Sequence, residues 1–186
     1  IATVSRRLGL RRGAYAVWAV ALLVYILAVF HRSSLAVAGL DATERFGIGA
    51  AQLSTFTVLQ LVVYAGMQIP VGLALDRFGP RAVILTGVLT LSIAQVGFAF
   101  ATSYPVALAA RVAVGAGDAM VFVCVLRLVA NWFVPRKVPL MTQLTGISGQ
   151  AGMILAAVPM TWALHHFGWT RAYLVTAVVG LVLAVM

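Results

Sequence analysis

Charged residues are scarce in this chain, and their scarcity excludes an ordinary water-soluble domain. Of its 186 residues, 63% are hydrophobic and only 9% are charged, with a mean hydropathy of +1.06. In soluble domains, charged residues make up about a quarter of the composition. The composition therefore predicts a polytopic membrane protein, and the length of its apolar runs predicts an all-α fold.

Cysteine clusters, phosphate-binding loops and catalytic groupings are also missing. The single cysteine, Cys124, permits neither an intrachain disulfide nor a cysteine metal cluster. No nucleophile, base and orienting group occur together, and no glycine-rich loop followed by lysine is present. We therefore expect neither an enzyme nor a self-contained ATP-driven pump, and we expect no cofactor or metal.

What the sequence does contain is a series of long apolar runs. No charged side chain occurs in residues 50–75 or in residues 82–110, and each run exceeds the roughly 20 residues that cross a bilayer as a helix. Six spans are predicted, at about residues 14–40, 52–75, 82–100, 104–132, 138–164 and 171–186, the last one cut short. We interpret the chain as one six-helix unit, with residues 41–51 as its longest loop.

The basic residues are divided unevenly between the two sides of this unit. The net charge is +9, but the Lys and Arg residues form no single basic face, so no nucleic-acid partner is predicted. One side receives only Arg45 and Arg171. The other side is therefore predicted to be cytoplasmic, with the amino terminus there, in the cytoplasmic membrane. Its basic residues are Arg6, Arg7, Arg11, Arg12, Arg77, Arg81, Arg136 and Lys137.

The turn between the second and third predicted spans carries a recognisable motif. Its fixed positions are Gly72, Asp76, Arg77, Gly79 and Arg81. This spacing resembles the loop between the second and third helices of major facilitator superfamily transporters. The resemblance implies the amino-terminal half of a twelve-helix fold, with the carboxy-terminal half as its partner and a substrate site between the halves.

The fourth predicted span carries a second motif. Residues 108–119, which include Arg111 and Asp118, resemble the fourth-helix motif of the superfamily, whose arginine is associated with proton or substrate handling. Residues 131–133 and 168–169, Asn-Trp-Phe and Gly-Trp, resemble the organic-anion and anion:cation symporter branch. This second resemblance implies transport of an organic anion.

Ionisable residues inside the spans are candidate site residues, because burying a charge in a bilayer is costly. Arg32 and Arg111 are predicted at similar depths in the outer half of the bilayer, where two arginines can bind a carboxylate. Asp118 shares a helix face with Arg111 and lies nearer the centre, where desolvation favours the protonated form that a proton carrier needs. The alternatives are snorkelling of Arg32 to the outer headgroups and a fixed ion pair of Asp118 with either arginine.

Uncharged polar side chains extend this candidate site. Tyr25 shares a face of the first span with Arg32. Polar residues also recur at three- and four-residue steps on the second span, at Thr57, Gln60, Tyr64 and Gln68. We take Tyr25, Gln60 and Tyr64 as candidates for lining the cavity, with packing and interhelical hydrogen bonding as the alternative.

Glycines recur in the fourth and fifth predicted spans at helix-packing spacing. They include Gly115, Gly146, Gly149 and Gly152. Small residues allow membrane helices to approach closely, so we interpret these glycines as packing sites. The alternative is that the fifth helix slides against a partner during transport.

The motif turn is the candidate gate. In the resembled family its acidic residue, here Asp76, braces the inward gate against neighbouring helix ends. A latch of this kind needs to bias two conformations by only a few kcal/mol. The residues assigned to it are Gly72, Asp76, Arg77, Gly79, Arg81 and Arg127.

Together, these observations predict a proton-coupled secondary transporter in the lipid bilayer. We expect it to move a small organic solute by alternating access, and the arginines favour an organic anion. Two alternatives remain open at this point. One is export of drugs or metabolites by proton antiport, and the other is a non-transporting sensor or scaffold with the same fold.

Overall fold

Helices account for every regular element in the part of the chain that the structure describes. The structure is a computed structural model, and it describes the backbone of residues 2–185 and the side chains of residues 13–185. Its elements are α1 (Ala2–Val37), α2 (Gly39–Phe46), α3 (Ala50–Phe100), α4 (Tyr104–Trp132), a 3-10 helix (Pro135–Lys137) and α5 (Val138–Val185). The predicted all-α class is confirmed. The side chains of Arg6, Arg7, Arg11 and Arg12, counted above as cytoplasmic, and the terminal Met186 lie outside the described residues.

The long helix α3 reverses its direction at Gly79. This residue has φ 78° and ψ 166°, a backbone conformation that favours glycine, and the following Pro80 cannot donate a helical hydrogen bond. The ring centroids of Phe56 and Phe98 lie 6.2 Å apart, whereas a straight helix would hold them roughly 60 Å apart. The element is therefore a hairpin of two arms, α3a (residues 50–78) and α3b (residues 80–100).

The long helix α5 reverses in the same way at Gly168, which has φ 73° and ψ 173°. Gly152 precedes this turn and lies against Ile26 of α1, and Gly180 follows the turn and lies against Leu27 of the same helix. Both sides of the turn therefore pack at one level of α1. We call the two arms α5a (residues 138–167) and α5b (residues 169–185).

Within the described residues, four continuous helical stretches are long and apolar enough to cross a bilayer. They are Gly13–Val37, Ala50–Phe100, Tyr104–Trp132 and Pro135–Val185. The second and fourth are each 51 residues long, about twice the length of one crossing, and these are the two that reverse at a glycine. With each arm counted separately, the bundle has six membrane-length segments or arms, and the predicted polytopic character is confirmed.

The segment between α1 and α3 differs from its prediction. Residues 41–51 were predicted to be a loop, and the first span was predicted to continue to residue 40. Instead α1 ends at Val37 and the short helix α2 follows. Phe46 of α2 packs against Phe56 and Trp169, at ring-centroid distances of 6.2 and 5.6 Å. This long-range aromatic packing, which local sequence periodicity does not report, stabilises α2 as a helix.

Glycines allow α4 to approach both arms of α3 closely. A β-carbon at Gly115 would lie 2.5 Å from the carbonyl oxygen of Gln60 in α3a. A β-carbon at Gly117 would lie 2.8 Å from the carbonyl oxygen of Gly87 in α3b. Because both obstacles are backbone atoms, neither arm can yield without moving as a whole. This close approach places the polar residues of α3a beside those of α4.

We predict that Gly115→Ala destabilises the bundle. The added methyl group has to separate α3a from α4, and overpacking of this kind costs about 1–3 kcal/mol. In the purified protein this should lower the Tm by roughly 2–4 °C per kcal/mol. Gly97→Ala is the matched control, because its β-carbon would meet Ala110 at an ordinary 3.9 Å. Equal Tm values for the two variants would contradict the packing described for α4.

Candidate functional site

An ion pair between Arg32 of α1 and Asp118 of α4 forms the centre of the candidate site. The Arg32 Nη1 atom donates a hydrogen bond to Asp118 Oδ2 at 3.0 Å. The Asp118 side chain is 1% exposed, whereas that of Arg32 is 31% exposed. Asp118 Oδ1 has no hydrogen-bond partner among the described residues. The pair therefore keeps its carboxylate inside the bundle and leaves part of its cation accessible.

Two tyrosines surround this ion pair. The guanidinium of Arg32 lies 5.7 Å from the ring centroid of Tyr64 in α3a, within range of a cation–π interaction. Tyr25 of α1 is buried, and its phenol lies near Arg32, Asp118 and Tyr64. Its ring also packs against Phe122 of α4, with the centroids 5.1 Å apart. The structure thus brings together four of the six residues predicted for the substrate and proton site.

Gln60, the fifth predicted residue, lies one helical turn from Tyr64 on α3a. Its side chain is almost fully buried, and its Nε2 atom has no hydrogen-bond partner among the described residues. Its backbone contacts Gly115, which precedes Asp118 by one turn of α4. Gln60 is therefore next to the ion pair and has an unused donor.

Arg111, the sixth predicted residue, lies apart from this group. It is fully buried, and its Nη1 atom donates to the backbone carbonyl of His31 at 3.0 Å. Its guanidinium also covers the ring of Phe98 in α3b at 4.2 Å. The Arg111 guanidinium therefore lies at the level of α1 that carries Arg32, but of the two side chains only that of Arg32 is exposed. Among the described residues, the two arginines therefore do not share one accessible surface, and a role of Arg111 in proton or substrate handling stays a prediction.

The partners of Arg111 were not identified from the sequence. Ser34 Oγ accepts a hydrogen bond from Arg111 Nη2 at 3.5 Å and donates to the His31 carbonyl at 2.8 Å. Tyr173 of α5b donates its hydroxyl hydrogen to the Ser34 carbonyl at 3.5 Å. The signal available in the sequence was the position of His31 and Ser34 close to Arg32 on the first span.

The predicted gate contains one ion pair among the described residues. Arg127 Nη2 of α4 donates to Asp76 Oδ1 of α3a at 2.8 Å, and both side chains are more than half exposed. Arg77 instead lies over the ring of the adjacent Phe78 at 5.3 Å, and Arg81 is exposed. Exposed ion pairs contribute little to stability, so the contact between α3a and α4 at this end is weak and reversible.

Comparison with known proteins assigns the chain to a family. The family model described as Major Facilitator Superfamily matches residues 18–186. The chain belongs to the major facilitator superfamily. It is an integral, multi-pass membrane protein from a family of transporters, and the prediction that it is not an enzyme is confirmed.

This chain is similar to two transporters from Escherichia coli. It is 25% identical over 167 residues to the probable L-galactonate transporter of strain K12, covering 88% of this chain and 37% of that protein. It is 27% identical over 160 residues to the D-galactonate transporter of strain O6:H1, covering 84% of this chain and 36% of that protein. The chain therefore spans little more than a third of the length of either relative.

A solved structure shows the same fold. It is the crystal structure of a bacterial homolog of the human lysosomal transporter Spinster, in an inward-facing and occupied conformation. The superposition has a TM-score of 0.79 at 18% sequence identity, and covers 92% of this chain and 43% of that one. The chain accordingly has the six-helix fold of one half of a superfamily transporter.

We predict that Arg32 and Asp118 are energetically coupled. Arg32→Gln leaves a buried carboxylate without its cation, and Asp118→Asn removes the charge that holds the guanidinium. The thermal stabilities of the wild type, the two single variants and the double variant form a double-mutant cycle. We expect a coupling free energy of about 0.5–3 kcal/mol, as found for residues in direct contact. Strictly additive effects would mean that the ion pair does not form in the protein.

Proposed function

We propose that the full-length protein carries a small organic anion across the cytoplasmic membrane together with a proton. The observation that carries this proposal is the Arg32–Asp118 pair, in which Arg32 is 31% exposed and Asp118 only 1% exposed. A solute carboxylate that enters from the accessible side meets the guanidinium before it meets Asp118. It therefore competes with Asp118 for the same cation, which binds carboxylates strongly.

This competition links solute binding to protonation. When Arg32 turns to the solute, Asp118 loses its cation and remains buried, and a desolvated carboxylate without a partner favours its protonated form. The site then holds one additional anion and one additional proton, so its net charge is the same whether it is empty or loaded. Loss of the solute returns Arg32 to Asp118 and releases the proton. Solute and proton consequently move together.

The polar groups beside the pair support a hydroxylated solute. Tyr25 and Tyr64 supply phenol groups close to Arg32, and Gln60 supplies an amide donor that is unpaired among the described residues. These groups can bind the hydroxyls of a polyhydroxy acid while Arg32 binds its carboxylate. The two relatives named as galactonate transporters support the same class of solute, since galactonate is a sugar acid.

In the full-length protein, a carboxy-terminal half would complete the site, and the amino terminus would face the cytoplasm. The chain covers 37% of its galactonate-transporting relative, so the rest of the site would come from a carboxy-terminal half. At one end of the bundle, Asp76 pairs with Arg127, and Lys137 Nζ donates to the Tyr15 hydroxyl at 2.9 Å. Arg77, Arg81 and Arg136 belong to this same end, which supports a cytoplasmic location for it and for the amino terminus.

Proton antiport of a cationic drug is the second candidate function. Asp118 is the one buried carboxylate among the described residues, and buried acids of this kind suit proton exchange. Against this candidate, the accessible side of the site is occupied by the Arg32 guanidinium, which repels a cation. A sensor of the same fold would bind the anion without using a proton gradient.

We predict that Asp118→Asn uncouples transport from the proton gradient. In proteoliposomes that contain the full-length protein, an imposed proton gradient should drive accumulation of D-galactonate by the wild type. In the variant the gradient should drive none, because residue 118 can no longer bind and release a proton. Exchange of labelled for unlabelled galactonate should continue, since Arg32 still binds the carboxylate.

Asp118→Glu is the control for this measurement, because it keeps a titratable group at the site. We expect it to retain gradient-driven accumulation. Undiminished accumulation by Asp118→Asn would contradict the assignment of Asp118 as the proton carrier. Accumulation of a cationic drug in exchange for protons, with no galactonate transport, would favour the antiport alternative.

We predict that Asp76→Asn changes the rate of transport more than the affinity for the solute. The Asp76–Arg127 pair joins α3a to α4 far from Arg32, so its loss should shift the balance between conformations. The initial rate of uptake, measured over a range of galactonate concentrations, separates kcat from KM. The charge-reversed variant Asp76→Arg/Arg127→Asp should recover part of the wild-type rate. A change confined to KM would contradict a gating role.

A further inference from the structure

Gly149 of α5a and Tyr25 of α1 meet at an unusually close contact. A β-carbon at Gly149 would lie 2.9 Å from both Cε1 and the hydroxyl oxygen of Tyr25, and 3.1 Å from Cζ. These distances are shorter than ordinary van der Waals contacts, which begin near 3.4 Å. The tip of the tyrosine ring therefore occupies the space that any side chain at Gly149 would need.

Residues of the candidate site also surround the Tyr25 ring. Phe122 of α4 packs on the ring at 5.1 Å with an interplanar angle of 33°, and the phenol lies near Arg32 and Asp118. Asp118 Oδ1 is buried and has no partner among the described residues. A ring displaced from Gly149 therefore has to find room among Phe122, Arg32 and Asp118.

Three glycines on α5a differ in what a side chain would meet. At Gly146 a β-carbon would meet no atom within 4 Å. At Gly152 it would meet the backbone carbonyl of Ile26, which cannot move without the helix. At Gly149 alone the obstacle is the tip of a side chain that belongs to the candidate site. Packing explains Gly152, whereas Gly149 also determines where one side chain of the site lies.

We infer that Gly149 is a positioning residue that sets the width of the solute site beside Arg32, acting through the ring of Tyr25. This inference rests on the proposed function. Because Gly149 has no side chain, the Tyr25 hydroxyl end seats against α5a and leaves room next to the ion pair for an extended polyhydroxy acid. A methyl group at this position narrows that room and favours shorter carboxylates.

The test compares two solutes of different length in proteoliposomes that contain the full-length protein. For Gly149→Ala, we expect the ratio of kcat/KM for D-galactonate to that for D-glycerate to fall about tenfold, the effect that one methylene has in a close-fitting site. Gly146→Ala, three residues away on the same arm, should leave the ratio unchanged. An equal loss for both solutes would overturn the inference, because a purely structural defect does not discriminate between them.

A second variant shows whether Tyr25 transmits the effect. Tyr25→Leu removes the two ring carbons and the hydroxyl oxygen that a β-carbon at Gly149 would meet, so adding Gly149→Ala to Tyr25→Leu should not change the ratio further. If Gly149→Ala alone fails to fold, the double variant should fold, and an unstable double variant would overturn the inference. A further fall of the ratio in the double variant would also overturn it. Proton-driven galactonate uptake by the wild type is measured beside these variants, and its absence would reject the proposed function separately.

Discussion

The structure depends on the burial of one carboxylate, Asp118, in a bundle that has very few charges. A carboxylate at this depth has two low-energy states, in which it is either paired with a cation or protonated. Arg32 supplies the cation from a neighbouring helix, and it remains partly accessible while Asp118 does not. Any anion that competes for Arg32 therefore changes the protonation state that Asp118 prefers. Under the proposed function, this single ion pair couples the solute to a proton without a separate signalling element.

The fold makes this arrangement possible through glycine. Because α3 and α5 reverse at Gly79 and Gly168, six helical segments of membrane length pack in one bundle. Gly115 and Gly117 allow α4 to approach both arms of α3 closely. This close approach aligns α1, α3a and α4 around the ion pair. Near the carboxyl end of α4, Arg127 forms an exposed ion pair with Asp76. This contact can break without cost to the core. Close packing around the candidate site and a weak contact at the predicted gate together suit a half that moves as a unit.

The features that could be predicted from the sequence are those that depend on long apolar stretches and on the fixed spacing of motif residues. Uncharged stretches longer than a bilayer crossing revealed the spans, and the costs of intramembrane charge singled out Arg32 and Asp118. The sequence did not reveal α2, because the packing that holds this helix joins Phe46 to Phe56 and Trp169 from distant parts of the chain. It also did not show that Arg111 points into the bundle. Periodicity identifies the face of a helix on which a residue lies, but not the direction in which a long side chain turns to find its partners.

The most direct test of the central claim is the number of protons that the full-length protein takes up when it binds a solute. In weakly buffered detergent solution, addition of D-galactonate should raise the pH, because each bound carboxylate displaces Asp118 from Arg32 and Asp118 then takes a proton from solution. Asp118→Asn should bind galactonate without this uptake. Binding by the wild type with no change in pH, or with the same change in the variant, would contradict the account.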